Sequence, residues 1–133
     1  MSDFNTLLAV KDLISQNIVT ADSSITVSES AQIMAEKDIS SVILTNSGGE
    51  LAGIITETDI VRKVVAEKID PEKATAESAM NSEVHKINGD ASIFEARQKM
   101  SDLHKEFNVK HLVVEENGKP LGLVSATALL GSG

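Results

Sequence analysis

Gly53-Ile54-Ile55-Thr56-Glu57-Thr58-Asp59 reads as a short buried strand that runs straight into a helix. Gly53 lets the backbone pass close to a neighbour. Ile54 and Ile55 are β-branched and apolar, as a buried strand requires. Thr56 stands at the N-cap position and Asp59 lies three residues on. Ile60, Val61, Val64 and Val65 then follow as an apolar stripe at helical spacing. A hydroxyl, a carboxylate and free backbone N–H groups converge at one helix start, a combination able to bind an anion or a polyol. The same Thr-x-x-Asp pair is also a variant of the capping box, which closes a helix end and nothing more. The residues alone leave both readings open.

Outward from that stretch, the chain alternates short elements. Residues 4–15 carry Leu7, Leu8, Val10, Leu13 and Ile14 and predict a short helix. Residues 18–20 predict a strand and 21–24 a turn. Thr26 with Glu29 forms a capping box, and Val27, Ala31 and Met34 give the next helix an apolar face that ends near Asp38. Residues 41–45 and 51–55 predict strands joined through Asn46-Ser47-Gly48-Gly49, a turn whose residues accept positive φ cheaply. Residues 66–75, charged and containing Pro71, read as a connector.

After the connector the pattern returns. Residues 76–81 resemble residues 10–15, and residues 84–87 predict a strand. Ser92 with Glu95 repeats the capping box, ahead of a helix stripe of Ile93, Ala96, Met100 and Leu103. Residues 109–114 and 121–124 predict strands about an Asn117-Gly118 turn. Gly122 answers Gly53, with a short insertion near His104-Lys105-Glu106-Phe107, and residues 125–130 begin a closing helix. An internal repeat of this length sets the architecture. The expected fold class is α/β (α+β): two repeats of short strands and helices packed sheet to sheet about a pseudo-twofold axis. Residues 1–68 hold the N-terminal segment and first repeat, and 69–133 the connector and second repeat, together one compact module. Such an axis creates two quasi-equivalent clefts, and seams are where ligand sites tend to lie.

Composition narrows the function. A chain of 133 residues with a hydrophobic fraction of 41% has enough material for a real core. Phe4, Phe94 and Phe107 are its only aromatic residues, so that core is aliphatic, with Met34, Met80 and Met100 inside it. Cysteine is absent, which excludes disulfides and thiolate metal sites. A net charge of −8 without aromatic platforms argues against nucleic acid and against acidic membranes. The N-terminus lacks the basic start of a signal peptide and no apolar run is long enough for a membrane span, so a cytoplasmic protein is expected. His85, His104 and His111 lack metal-ligand spacing.

The repeated order, with Gly-hydrophobic-hydrophobic-Thr-x-x-Asp closing the first half, resembles a tandem pair of CBS domains, the modules named after cystathionine β-synthase and called a Bateman module when paired. The resemblance spans nearly the whole chain, from about residue 10 to 130. It implies a free-standing regulatory module that senses an adenosine-containing ligand: AMP, ADP, ATP or S-adenosylmethionine. In such modules the motif Asp holds the two ribose hydroxyls, the motif Thr or Ser approaches the phosphate, and the other repeat supplies the adenine surface and basic residues. Carried over, one site takes Thr56, Thr58 and Asp59 with Val84, His85, Lys110 and His111. The chemistry agrees: a carboxylate is acceptor-only and can take both hydrogens of a vicinal diol. Lys110 supplies a cation for a phosphate, and His111 would add charge below about pH 6.5, its ordinary value.

The second site departs from the pattern. Ser125 and Thr127 match Thr56 and Thr58, but Ala128 stands where the Asp belongs. Its partners would be Ile18, Val19, Ile39, Ser40 and Ser41, none of them basic, so this cleft reads as degenerate. The rival reading is an interaction module that dimerises and meets an unknown protein partner without binding a nucleotide. An enzyme is not expected, because no nucleophile–base pair, metal cluster or phosphate-cradling glycine loop is present in the sequence. No cofactor is implied, and a homodimer is expected from the apolar helix surfaces at Ile60, Val61, Val64 and Val65 and at Leu129 and Leu130.

Overall fold

The structure, a computed structural model, describes residues 8–14 and 19–131. They form mixed α+β architecture with two three-stranded sheets and fall into two compact units. One unit runs from Val19 to Val84, and the other joins residues 85–131 to the segment 8–14.

In the first unit, β1 (Thr20–Asp22) lies parallel to β2 (Ser41–Thr45), which pairs antiparallel with β3 (Leu51–Thr56). Helix α1 (Val27–Lys37) makes the crossover. Its capping box is complete: Thr26 Oγ1 accepts from Glu29 N, and the Glu29 carboxylate accepts from Thr26 N. It ends at Asp38, in the left-handed region at φ 54°. Strand β3 runs without a break into α2 (Glu57–Ile60), which widens into a π-helical stretch (Val61–Val65) closed by Ala66 N donating to Val61 O. A short helix α3 (Ala76–Ala79) completes the unit. Val27, Met34, Val42, Leu44, Ile55, Val64, Ala76 and Ala79 form its aliphatic core.

The second unit repeats the plan. Strand β4 (Lys86–Asn88) is parallel to β5 (His111–Glu116), which is antiparallel to β6 (Lys119–Ser125). Helix α4 (Ile93–Phe107) crosses over and α5 (Ala126–Leu130) follows β6. Asn117 and Gly118 both have positive φ, 54° and 81°, the two-residue turn whose twist matches a hairpin. The equivalent loop of the first unit is longer and only Gly49 has positive φ, because the Asn46 side chain braces it by accepting from Gly48 N and Glu50 N. Val10, Ile87, Ala96, Met100, Leu112, Val114, Val124 and Leu129 make the second core.

The compact units are offset from the sequence repeats. Val10, ahead of the first repeat's strands, is buried in the second unit, where Val10 N donates to Ala91 O at 2.8 Å. Ala76 and Ala79, which open the second repeat, are buried in the first. The glycines of the two motifs explain how these leading segments dock. A Cβ on Gly53 would lie 2.6 Å from Met80 Sδ and 2.7 Å from Asn81 O. Asn81 closes the free edge of β3 by exchanging two backbone bonds with Ile54. A Cβ on Gly122 would press less hard, on the Ile14 side chain alone at 3.1 Å.

Several local expectations are corrected. The strand expected at 18–20 is β1, Thr20–Asp22, with Ile18 outside the described residues, because parallel pairing to Ile43, Leu44 and Thr45 decides the register. The expected helix over 4–15 is, within the described residues, a single 3-10 turn at Val10–Leu13. The strands expected at 84–87 and 109–114 sit about two residues later, at Lys86–Asn88 and His111–Glu116. The insertion near Phe107 is an added helical turn: α4 has 15 residues where α1 has 11.

Gly53→Ala is expected to cost about 1–3 kcal/mol, since backbone as well as the Met80 side chain must move. Gly48→Ala, where the nearest atom is 3.4 Å from the new Cβ, should stay within about 0.5 kcal/mol of the parent. Thermal melts of the two variants check this; equal melting temperatures would show that the glycine is not needed for docking of residues 80 and 81.

Candidate functional site

The Thr56–Asp59 pair is a closed bracket. Thr56 sits in the extended region at φ −121° and ψ 165°, so its side chain folds forward over the first helical turn. Its Oγ1 accepts from Asp59 N at 3.1 Å. Asp59 Oδ2 accepts from Thr56 N at 2.9 Å and from the Thr56 hydroxyl at 3.0 Å. The helix start is further tied to β2, because Glu57 N donates to Ser40 O at 3.0 Å. Most of the N–H groups that the sequence offers to an anion are therefore already used, and the motif's open chemistry resides in the other carboxylate oxygen. Asp59 Oδ1 is held by the Lys63 ammonium at 3.1 Å, one helical turn on. Lys63 Nζ also donates to Ala79 O at 3.2 Å, which anchors it to α3. The Asp59 side chain is only 14% exposed and that of Lys63 48%.

The expected site residues divide between the units. Thr56, Thr58, Asp59 and Val84 belong to the first, with Thr58 exposed and Val84 half-buried. His85, Lys110 and His111 belong to the second. There, the His85 ring lies nearly parallel to Phe107, with centroids 6.4 Å apart and planes 18° from coincident. His85 O accepts from Val113 N, which aligns it with β5. Lys110 is exposed, and its carbonyl accepts from Ala126 N at 2.8 Å. His111 opens β5 opposite Ser125. Surrounding protein, and next the adjacent Lys110, push its pKa below the ordinary 6.5. That direction moves the onset of any His111 charge to more acidic pH.

The second motif forms half a bracket. Ser125 Oγ accepts from Ala128 N at 3.0 Å, and Ala128 has no carboxylate to return the bond. Thr127 and Ala128 are exposed. Of the residues expected to complete that cleft, Val19, Ile39, Ser40 and Ser41 lie in the first unit, where Ser41 pairs with Thr56 and Ser40 O accepts from Glu57 N, and Ile18 is outside the described residues. Sequence reasoning did not single out two residues that touch the expected ones, Lys63 beside Asp59 and Phe107 beside His85. Lys63 had a readable signal, a cation four residues after a carboxylate on one helix. Phe107 had none beyond being a rare aromatic residue, since its placement against His85 follows from the added turn of α4.

Among the described residues, no cluster of side chains has the makings of a metal site, and no helix is long and apolar enough to cross a membrane. A family model described as the CBS domain matches the chain twice, at residues 10–66 and 76–132. A CBS domain-containing protein of Arabidopsis thaliana, CBSCBSPB2, is 32% identical over 121 residues, which cover 91% of this chain and 22% of that protein. The chain thus spans about a fifth of that relative's length. The CBS domain pair of protein MJ0100, solved with 5-methylthioadenosine and S-adenosyl-L-methionine, superposes with a TM-score of 0.73 at 28% identity, covering 93% of this chain and 94% of that one. A hexameric CBS-CP12 protein from bloom-forming cyanobacteria gives 0.74 at 26% identity, over 95% and 68%.

Two outcomes follow from this geometry. Thr56→Ala should cost about 1–2 kcal/mol, because it removes the cap and strips one donor from a mostly buried carboxylate, whereas Ser125→Ala should cost about 0.5–1 kcal/mol. Chemical denaturation compares them directly. For His111, the lowered pKa means that the unfolded chain takes up the proton first. Its contribution to stability is complete above pH 6.5 and is lost as pH falls from there through the lowered value. A His111→Gln variant should show a flatter loss of melting temperature below pH 6.5 than the parent.

Proposed function

The chain belongs to the CBS-domain family, and on that premise we propose that this regulatory module senses an adenosine-containing ligand, with Asp59 as its ribose anchor. One observation carries the proposal. Asp59 is a mostly buried carboxylate whose orientation is set by Thr56 through Oδ2, while Oδ1 points to a partner that a ligand can replace. A carboxylate held in one orientation loses little entropy on meeting a diol. The adenosine compounds bound by the MJ0100 pair support the ligand class. Candidate ligands are AMP, ADP, ATP and S-adenosylmethionine. The family resemblance assigns the adenine surface to Val84 and His85 and the phosphate to Thr56, Thr58, Lys110 and His111. With the lowered pKa of His111, Lys110 carries the cationic part of that role near neutrality. Ala128 leaves the second motif without a ribose anchor, so one ligand per chain is the expected stoichiometry.

A second reading, a dimerising interaction module that binds no nucleotide, is favoured by the apolar side chains left in solvent. Val61 and Val65 are 59% and 61% exposed on the π-helical stretch, and Ile69 and Leu130 are exposed as well. A homodimer in the cytoplasm is compatible with either reading.

Calorimetric titration with the four compounds separates the two. Binding of one compound at one site per chain is expected. Asp59→Asn should weaken it about ten- to a hundredfold, since a bond to a charged group contributes about 1.5–3 kcal/mol. Two equal sites, or an Asp59→Asn variant that binds like the parent, would leave Thr56 and Asp59 as a helix cap. Heat-free titrations with all four, together with a sedimenting dimer, would establish the interaction module.

A further inference from the structure

A count of acceptors at Asp59 points to a role for Lys63. A carboxylate has about four lone-pair sites. Oδ2 spends two on the Thr56 N–H and hydroxyl, and Oδ1 spends one on Lys63. One remains, and a vicinal diol brings two hydroxyls. The Thr56 bonds cannot be given up without opening the helix start. The replaceable partner is Lys63, whose side chain is half exposed and which keeps Ala79 O as a second acceptor at 3.2 Å.

We propose that Lys63 selects the charge of the ligand: it covers the ribose anchor in the free protein, is displaced by the diol, and leaves its ammonium beside the bound nucleoside. This inference rests on the reading of Asp59 as a ribose anchor. Before binding, Asp59 and Lys63 neutralise each other. After binding, the diol satisfies the carboxylate, and the cation stays within one side-chain length because its helix and its Ala79 contact hold it there. A nucleoside phosphate compensates that charge. A sulfonium such as S-adenosylmethionine carries its own positive centre next to it, and neutral adenosine gains nothing. The site therefore takes nucleoside phosphates in preference to S-adenosylmethionine, and Lys63 lowers affinity for neutral and cationic nucleosides by competing for Oδ1.

The test is calorimetric titration of AMP, adenosine and S-adenosylmethionine into the parent, Lys63→Gln and Lys63→Arg. Glutamine keeps a donor for Ala79 O and removes the charge, so the docking of α3 survives; arginine keeps the charge. In Lys63→Gln, adenosine and S-adenosylmethionine should each bind about three- to tenfold tighter than to the parent, and the preference for AMP over adenosine should fall by about the same factor. Lys63→Arg should retain the parent's preference. An unchanged ratio of AMP to adenosine affinity in Lys63→Gln, or a parent that prefers S-adenosylmethionine to AMP, overturns the role of Lys63 and leaves the ribose anchor standing. A parent that binds none of the three overturns both.

Discussion

The bracket between Thr56 and Asp59 is the constraint on which the first unit depends. Strand β3 and the helix after it share no loop, so the chain must change from extended to helical geometry within one residue. Thr56 makes that change and Asp59 holds it, through three bonds of 2.9–3.1 Å. The position of the change fixes what lies on either side. Upstream, Gly53 sits where Met80 and Asn81 close the strand edge. Downstream, Val64 falls into the aliphatic core and Lys63 falls opposite Asp59. Capping uses only half of this carboxylate: Oδ2 closes the helix start and Oδ1 faces the Lys63 ammonium.

The two repeats keep a common plan and differ where chemistry is expected. Both cap the last strand-to-helix step with a hydroxyl, Thr56 or Ser125, and both tie the helix start to the preceding strand, through Ser40 O or Lys110 O. The first repeat has the carboxylate, its lysine and the π-helical widening; the second has Ala128 and a helix ending at Leu130. Wide helical turns are uncommon and often mark functional segments. The second repeat has instead a longer crossover helix that carries Phe107 to His85.

Much of this was legible in the residues, and what was not has physical reasons. Capping boxes are local, so Thr26 with Glu29 and Thr56 with Asp59 located two helix starts to the residue. The Asn117-Gly118 turn was equally plain, since two positive φ angles in succession demand such residues. Strand ends were less so: Ile18 and Val19 look more like a strand than Ala21 and Asp22, but pairing with β2 decides the register. The burial of Val10 among residues of the second repeat, and of Ala76 among those of the first, is a long-range packing result that no window of sequence carries. Residue type alone singled out Asp59 and Lys110 as candidates. The lowered pKa of His111 needed the surroundings of β5 and its lysine neighbour. The partner of Asp59 was in view four residues away, but a spacing rule cannot tell a solvated lysine from one held at 3.1 Å.

The most direct measurement is a crystal structure of the chain grown with AMP. The account predicts both ribose hydroxyls within about 2.5–3.2 Å of the Asp59 carboxylate, the two Thr56 bonds to Oδ2 intact, and Lys63 Nζ withdrawn from Oδ1 beyond ion-pair distance. A nucleotide bound away from Asp59, or one beside Asp59 with Lys63 still on Oδ1, would contradict it.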